Sequence, residues 1–226
     1  MSKMPSSLDS LNVELLDKIL SFVQPRSTLY QLALVSWTLN SLATRHLYRH
    51  VFLDSDCPNG GIRHMLPFTF LILRKPCIAS LVRSFTFRGR FHDENYSSSH
   101  PSERRLLWPK HPERDNILRR LIKKISHSEE EELEWHQAVL PGIAPQDDAI
   151  CSLLLISLPN LRRLDFEITG YHVDFLTRIF SRIASSEPPF DVNPVFTKLS
   201  DIMLAGSNDR YSTDYVLLGA CCTSQQ

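Results

Sequence analysis

Apolar residues crowd the stretch LNVELLDKILSFVQPRSTLYQLALVSWTLNSLATRHLYRHVFL, residues 11–53, at spacings that suit helices. Asn12 is a natural N-cap, because its side chain can accept from one of the first unpaired helix N–H groups. A first helix is predicted from about Val13 to Val23, ending ahead of Pro25, which has no N–H to continue it. On a helical wheel, Leu11, Val13, Leu15, Leu16, Ile19, Leu20, Phe22 and Val23 cover roughly 200°, against the ~100° of an ordinary surface helix. Glu14, Asp17, Lys18 and Ser21 share the remainder. Such a helix has two surfaces to bury, and its own neighbours cover only one. Ser27 or Thr28 is expected to cap a second short helix, and Leu32, Val35, Leu39 and Leu42 recur at spacings of three, four and three. A unit of about 40 residues is near the lower limit for independent folding. The reading is a three-helix module that stays marginal until another protein covers its second face.

Past residue 54 the pattern changes to apolar-x-x-apolar-x-apolar, a short strand whose alternate side chains point one way. It occurs as Tyr48-x-x-Val51-x-Leu53, Val82-x-x-Phe85-x-Phe87, Leu161-x-x-Leu164-x-Phe166 and Leu199-x-x-Ile202-x-Leu204. Helical segments are predicted between the copies, at about 62–80, 115–126, 147–157 and 172–185. The phrase LPNLRRLDFEI, residues 158–168, carries the L-x-x-L-x-L core of a leucine-rich repeat. The intervals between copies are 34, 79 and 38 residues, longer than the ~20–29 of regular repeats of that kind. The repeats are therefore degenerate, and the long interval fits an insertion or one further repeat without a visible template. If the strands stack in parallel, Val51, Leu53, Phe85, Phe87, Leu164, Phe166, Ile202 and Leu204 face the core. Alternation then turns His50, Phe52, Ser84, Thr86, Arg88, Arg163, Asp165, Glu167, Asp201 and Met203 outward on one shared face.

Residues 11–53 also resemble an F-box, the adaptor-binding module of SCF-type cullin–RING ubiquitin ligases. The pattern of that family is an LP-x-E-L-L-x-x-I-L opening, a Pro-containing turn, then L-A-x-V-[CS]-x-x-[WF]-N-x-L-A. It is matched at Leu11, Glu14, Leu15, Leu16, Ile19, Leu20, Pro25, Leu32, Ala33, Val35, Ser36, Asn40, Leu42 and Ala43. Asn12 replaces the proline of the opening, and Leu39 stands where an aromatic is usual, with Trp37 two residues earlier. The resemblance implies a three-helix F-box over residues 8–54; with the strand copies, the whole reads as a mixed α/β, mostly helical chain whose residues 55–226 form a short irregular, leucine-rich-repeat-like strand–helix solenoid. The resemblance further implies that Leu11, Leu15, Leu16, Ile19, Leu20, Leu32, Val35 and Leu39 are divided between the module's own core and contact with a Skp-family adaptor. Through the adaptor the chain would meet cullin and RING subunits. The outward strand face, with Phe52, Thr86, Arg88, Arg163, Asp165, Glu167 and Met203, is the candidate surface for an unidentified target protein. On this reading the chain is a non-catalytic substrate-recognition subunit. The alternative is an interaction module with no ligase role.

Charge removes some functions from consideration. Lys plus Arg and Asp plus Glu are both 25, so the formal net charge is zero, which argues against binding driven by phosphate neutralisation on nucleic acid. The longest apolar runs, residues 65–73 and 149–158, are too short to cross a bilayer. Cys57, Cys77, Cys151 and the adjacent Cys221–Cys222 form no disulfide framework, which points to a reducing compartment, cytoplasmic or nuclear. Residues 89–114 are polar and bear Pro and Ser, and read as a long mobile insertion. From Arg104 to Lys124 there are eight basic and two acidic residues, and Glu129–Glu134 adds five carboxylates. A basic segment beside an acidic one can serve as an RNA or peptide contact, but the two are expected to be solvated faces that neutralise each other.

No glycine motif that cradles phosphate, no nucleophile elbow and no zinc-ligand spacing is present, so no cofactor and no metal are expected. His92, His100 and His111 read as loop histidines, and Asp147 and Asp148 as carboxylates favoured at a helix N-terminus. After the last strand copy, GSNDRYSTDYVLLGACCTSQQ contains no evident cap, which a solenoid end needs. That end fits a fragment, an alternative product or a misassigned terminus of a longer chain.

Overall fold

The computed structural model describes residues 11–54, 61–90, 112–139, 146–169 and 173–206. Helix α1 (Val13–Ser21) starts where its cap predicts: the Asn12 side chain accepts from the Glu14 N–H at 3.0 Å. Helix α2 (Arg26–Ala33) begins earlier than expected. Neither Ser27 nor Thr28 caps it; Pro25 does, its carbonyl accepting from the Thr28 and Leu29 N–H groups. Proline suits that place, because its fixed φ is already compatible with a helix start. Helix α3 (Trp37–Arg49) is capped by Ser36, whose hydroxyl accepts from the Leu39 N–H at 3.2 Å. The three-four-three spacing of Leu32, Val35, Leu39 and Leu42 therefore spans two helices and the turn between them, and Val35 lies exposed in that turn.

Two polar ties close the module. Asn40 donates from Nδ2 to the Ala33 carbonyl at 2.8 Å, holding the first turn of α3 against the end of α2. His46 and Asp17 meet at 2.9 Å, linking α3 to α1. Leu16, Leu20, Leu29, Leu39 and Leu42 form the core between these ties.

Arg49 ends α3 and His50 opens strand β1 (His50–Asp54) with no residue between them. The chain continues through α4 (Gly61–Arg74), α5 (Pro76–Ala79), β2 (Ser84–Arg90), α6 (Pro112–Ile125), α7 (Glu129–Val139), α8 (Asp147–Ile156), β3 (Arg163–Thr169), α9 (Asp174–Ala184) and β4 (Asp201–Gly206). The four strands are the four copies of the sequence template, and they pair in parallel in chain order. Their register aligns the template: Val51 opposes Phe85, Phe85 opposes Leu164, and Leu164 opposes Ile202. Phe166 packs against Phe85 and Phe87 with ring centroids 6.0 and 5.6 Å apart, and all three are buried. Helices α4, α8 and α9 contribute Met65, Leu66, Leu153, Leu154 and Ile179 to this second core, which also takes in Val51.

Strand β2 runs to Arg90 and α6 starts at Pro112, so the insertion read as 89–114 is bounded more tightly, and residues 91–111, with His92, His100 and His111, lie outside the described residues. So do Cys57, Cys221, Cys222 and the end of the chain from residue 207. Of the described cysteines, Cys77 is exposed and free, and Cys151 is buried, where burial pushes its thiol well up.

The acidic run departs from its expected role. Its residues pair with α9 rather than with the basic segment before it. Glu131 is buried and bonds Arg182 at 2.8 Å, itself buried; Glu134 reaches Arg178 at 2.5 Å. The Glu131 carboxylate also accepts from the backbone N–H of His127 at 2.8 Å, and Arg182 donates to the Pro188 carbonyl and lies 5.5 Å from the Phe190 ring. Burial pushes the Glu131 carboxyl up, but the His127 hydrogen bonds and the Arg182 charge outweigh it, and the net shift is downward. Asp148 also acts at a distance. Although it sits in the first turn of α8, its carboxylate accepts from the Phe175 N–H at 2.9 Å, serving the N-terminus of α9. Burial raises its pKa to about 6 against the pull of that bond.

Candidate functional site

The two-surface argument can be located on α1. A helix turns about 100° per residue, which sets Leu16, Leu20 and Val23 in one stripe and Leu15, Ile19 and Phe22 in the stripe beside it. The first stripe faces the core: Leu16 and Leu20 are each 2% exposed. The second faces out: Leu15 is 56% and Ile19 47% exposed, with Phe22 more open still. Among the described residues, eight of the twelve exposed large apolar side chains fall between Val13 and Trp37. Among the described residues, exposure of this kind is concentrated in the small module. Solvated apolar side chains at such density mark an interaction surface.

The eight residues read as adaptor-binding divide accordingly. Leu15, Ile19 and Val35 are exposed, Leu11 and Leu32 are half-buried against the core, and Leu16, Leu20 and Leu39 are inside it. The last three reach no partner directly in this conformation; they hold the outer stripe in place. Sequence reasoning missed Tyr30, Leu34 and Trp37, the last 86% exposed. The signal for Trp37 was present: an aromatic displaced from its usual place, with Leu39 buried there instead.

The candidate target face is organised by strand register. Phe52 opposes Thr86, Thr86 opposes Asp165, and Asp165 opposes Met203, so one row of side-chain positions crosses all four strands. Asp54, Arg88, Glu167 and Ala205 form the next row, and His50, Ser84, Arg163 and Asp201 the row on the other side. Phe52, Arg88, Arg163, Glu167 and Met203 are exposed, and Thr86 and Asp165 are half-buried. Arg88 meets Glu167 at 3.3 Å and lies 5.8 Å from the centre of the Phe52 ring. That ion pair is solvated on both sides and contributes little to stability. The face offers charge of both signs with two apolar side chains, Phe52 and Met203, at opposite ends of one row.

Among the described residues no group of His, Cys, Asp and Glu is placed to hold a metal ion, and no helix is long and apolar enough to cross a membrane. A family model described as F-box-like matches residues 8–54, and one described as a leucine-rich repeat domain matches residues 60–201. Both families are typically non-catalytic interaction modules. No curated protein and no solved structure matches the chain. The F-box-like match ends with β1, whose Val51 packs in the core of the repeats. With the match to the repeats covering more than half of its length and an F-box-like domain ahead of them, the chain belongs to the leucine-rich-repeat domain family as an F-box protein.

Proposed function

We propose that this chain is a substrate-recognition subunit of an SCF-type cullin–RING ubiquitin ligase. The outer stripe of α1, with the exposed side chains between α2 and α3, docks a Skp-family adaptor; the outward face of the sheet holds a target protein. The observation that carries the reading is the pair of stripes on α1, one buried and one solvated, in a module whose family binds such adaptors. The subunit performs no chemistry of its own. It raises the local concentration of target lysines near a ubiquitin-loaded conjugating enzyme, which replaces a bimolecular encounter with a positioned one. On this reading the chain works in the cytoplasm or nucleus, where such ligases assemble.

Co-purification tests this in two steps. Tagged full-length chain should retain the adaptor, and with the adaptor the cullin. Retention of the adaptor without cullin at any salt concentration would favour an adaptor-bound module outside the ligase. Retention of neither would remove the F-box reading of residues 8–54 as a functional one.

A further inference from the structure

A pocket of about 360 Å³ lies between the C-terminal turns of α6 and α8 and the loop that joins α9 to β4. Its walls are apolar: Ile125 and Phe190 are buried, and Ile156 and Val195 are half-buried beside them. Lys124 and Asn193 are the only polar residues of the lining, and no carboxylate is among them. Val192, which also lines the pocket, is 77% exposed, so an apolar side chain stands in water at an apolar hollow. Sites for small molecules have this make-up, an apolar body of about 300–1,000 Å³ with a few polar groups that orient the ligand.

The loop wall is held from behind. Arg182, bonded to Glu131 at 2.8 Å, donates to the Pro188 carbonyl and lies 5.5 Å from the Phe190 ring. The Phe190 N–H donates to the Glu187 carbonyl at 2.8 Å, and the Asn193 N–H to the Pro189 carbonyl at 3.0 Å. At its far end Phe196 stacks on Phe180 with ring centroids 5.6 Å apart. Ser186 and Phe196 have φ of 50° and 58°, in the left-handed region that a side chain disfavours, most of all one as bulky as phenylalanine. Backbone of this kind persists only where its surroundings enforce it, and it gathers at binding sites. A buried ion pair adds little to stability by itself, so fixing this wall gives the pairing of Glu131 with Arg182 a role that burial alone does not. The polar groups of the pocket are left available. Among the described residues Lys124 forms no ion pair and the Asn193 side-chain amide no hydrogen bond.

We propose that this pocket binds a small monocarboxylic acid with an aliphatic or aromatic body, its carboxylate at Lys124 and its apolar part against Ile125, Ile156 and Phe190. The charges match: one cation and no acid in the lining call for one negative charge, and the Asn193 amide can donate to the second carboxylate oxygen. A polyanion fits less well, since its further charges would be driven against apolar walls. An inserted peptide fits less well for a related reason, because most of its N–H and C=O groups would meet those walls without partners. The loop leads directly into β4, so a bound acid braces the strand that carries Met203. The site shares no residue with the outer stripe of α1 or with the sheet face, and it does not depend on the ligase reading.

The test titrates the full-length chain with octanoate, decanoate and 4-phenylbutyrate, each beside its primary amide, by saturation-transfer NMR and calorimetry. The acids should bind, and their amides should bind about ten- to a hundredfold more weakly, the worth of a hydrogen bond to a charged group. Lys124→Gln should remove the difference between acid and amide, and Lys124→Glu should abolish binding of the acids; the side chain is exposed, so neither change should move the melting curve. Glu131→Leu with Arg182→Met frees the loop wall while refilling the space behind it, and should weaken acid and amide alike several-fold. Binding of none of the three acids overturns the proposal, as does equal binding of acid and amide, or acid binding that survives Lys124→Glu. Retention of a peptide library rich in Asp and Glu, with no acid bound, assigns the pocket to a protein partner and overturns it as well.

Discussion

The double substitution Leu15→Ala with Ile19→Ala separates docking from folding. Both side chains lie outside the module's core, 56% and 47% exposed, so about half of each has already left water against neighbouring residues. Complete burial of a Leu or Ile is worth about 1.5–3 kcal/mol, which leaves about 1 kcal/mol each to be gained on docking. Lost packing against the adaptor raises the total for the pair to about 2–3 kcal/mol, or about 30- to 150-fold in Kd. Titration calorimetry of the full-length chain against purified adaptor measures this directly. The melting temperature should fall only slightly, because neither side chain fills the core. Leu16→Ala supplies the contrast: that residue is 2% exposed, and its truncation should cost about 2–4 kcal/mol of module stability. A double variant that binds the adaptor within threefold of wild type, with an unchanged melt, would refute the assignment of the outer stripe.

Other expectations follow from the buried and charged groups. Glu131→Ala strands Arg182 without its carboxylate in a buried site and should cost about 3–5 kcal/mol by urea titration, while Glu131→Leu with Arg182→Met should recover most of it; a single-variant loss under about 1 kcal/mol contradicts the pairing. The Asp148 carboxyl, raised from 3.8 to about 6, favours the fold when protonated, so its contribution is complete below about pH 4 and is lost as pH rises through 6. Asp148→Asn should flatten that part of the stability profile by up to about 3 kcal/mol between pH 4 and 7, and an unaltered slope would count against a buried, titrating Asp148. Charge reversal at Arg88 and Arg163 together should weaken target capture, read by proximity labelling with and without proteasome inhibition, while adaptor binding is retained; targets crosslinked only to residues 89–114 or 104–124 would exclude the sheet face.

The sheet was legible because strand alternation has a period of two, and parallel pairing of like templates leaves one register that aligns the apolar positions of all four copies. Val51, Phe85, Leu164 and Ile202 therefore align from the sequence alone. Helix α1 was legible through Asn12 and Pro25, which act locally. Which stripe of α1 faces inward was not, because that depends on α3, held by contacts such as Asp17 with His46 that join residues 29 apart. Glu131 was misread for the same reason. Five carboxylates within one turn and a half look like a solvated face, and the arginine that buries one of them lies 51 residues on. Arg49, Arg83 and Arg162, each just ahead of a strand, were legible too, since the residue after the first template position is Arg in three of four copies.

The absence of any residue between Arg49 and His50 turns the junction of module and repeats into a mechanical coupling. The Tyr48 ring stacks 6.5 Å from Phe68, the Arg49 carbonyl is bonded by Arg83, and Val51 is already in the second core, so no hinge intervenes. A helix advances about 100° per residue and a strand about 180°, so the junction sets an angular phase between the stripe on α1 and the rows of the sheet. One inserted residue there would invert β1, turning Phe52 inward and Val51 outward. The chain then behaves as a fixed lever rather than a tether. A ligase built on it would present each captured target at one bearing, and the lysines modified would be chosen by where they sit on the target.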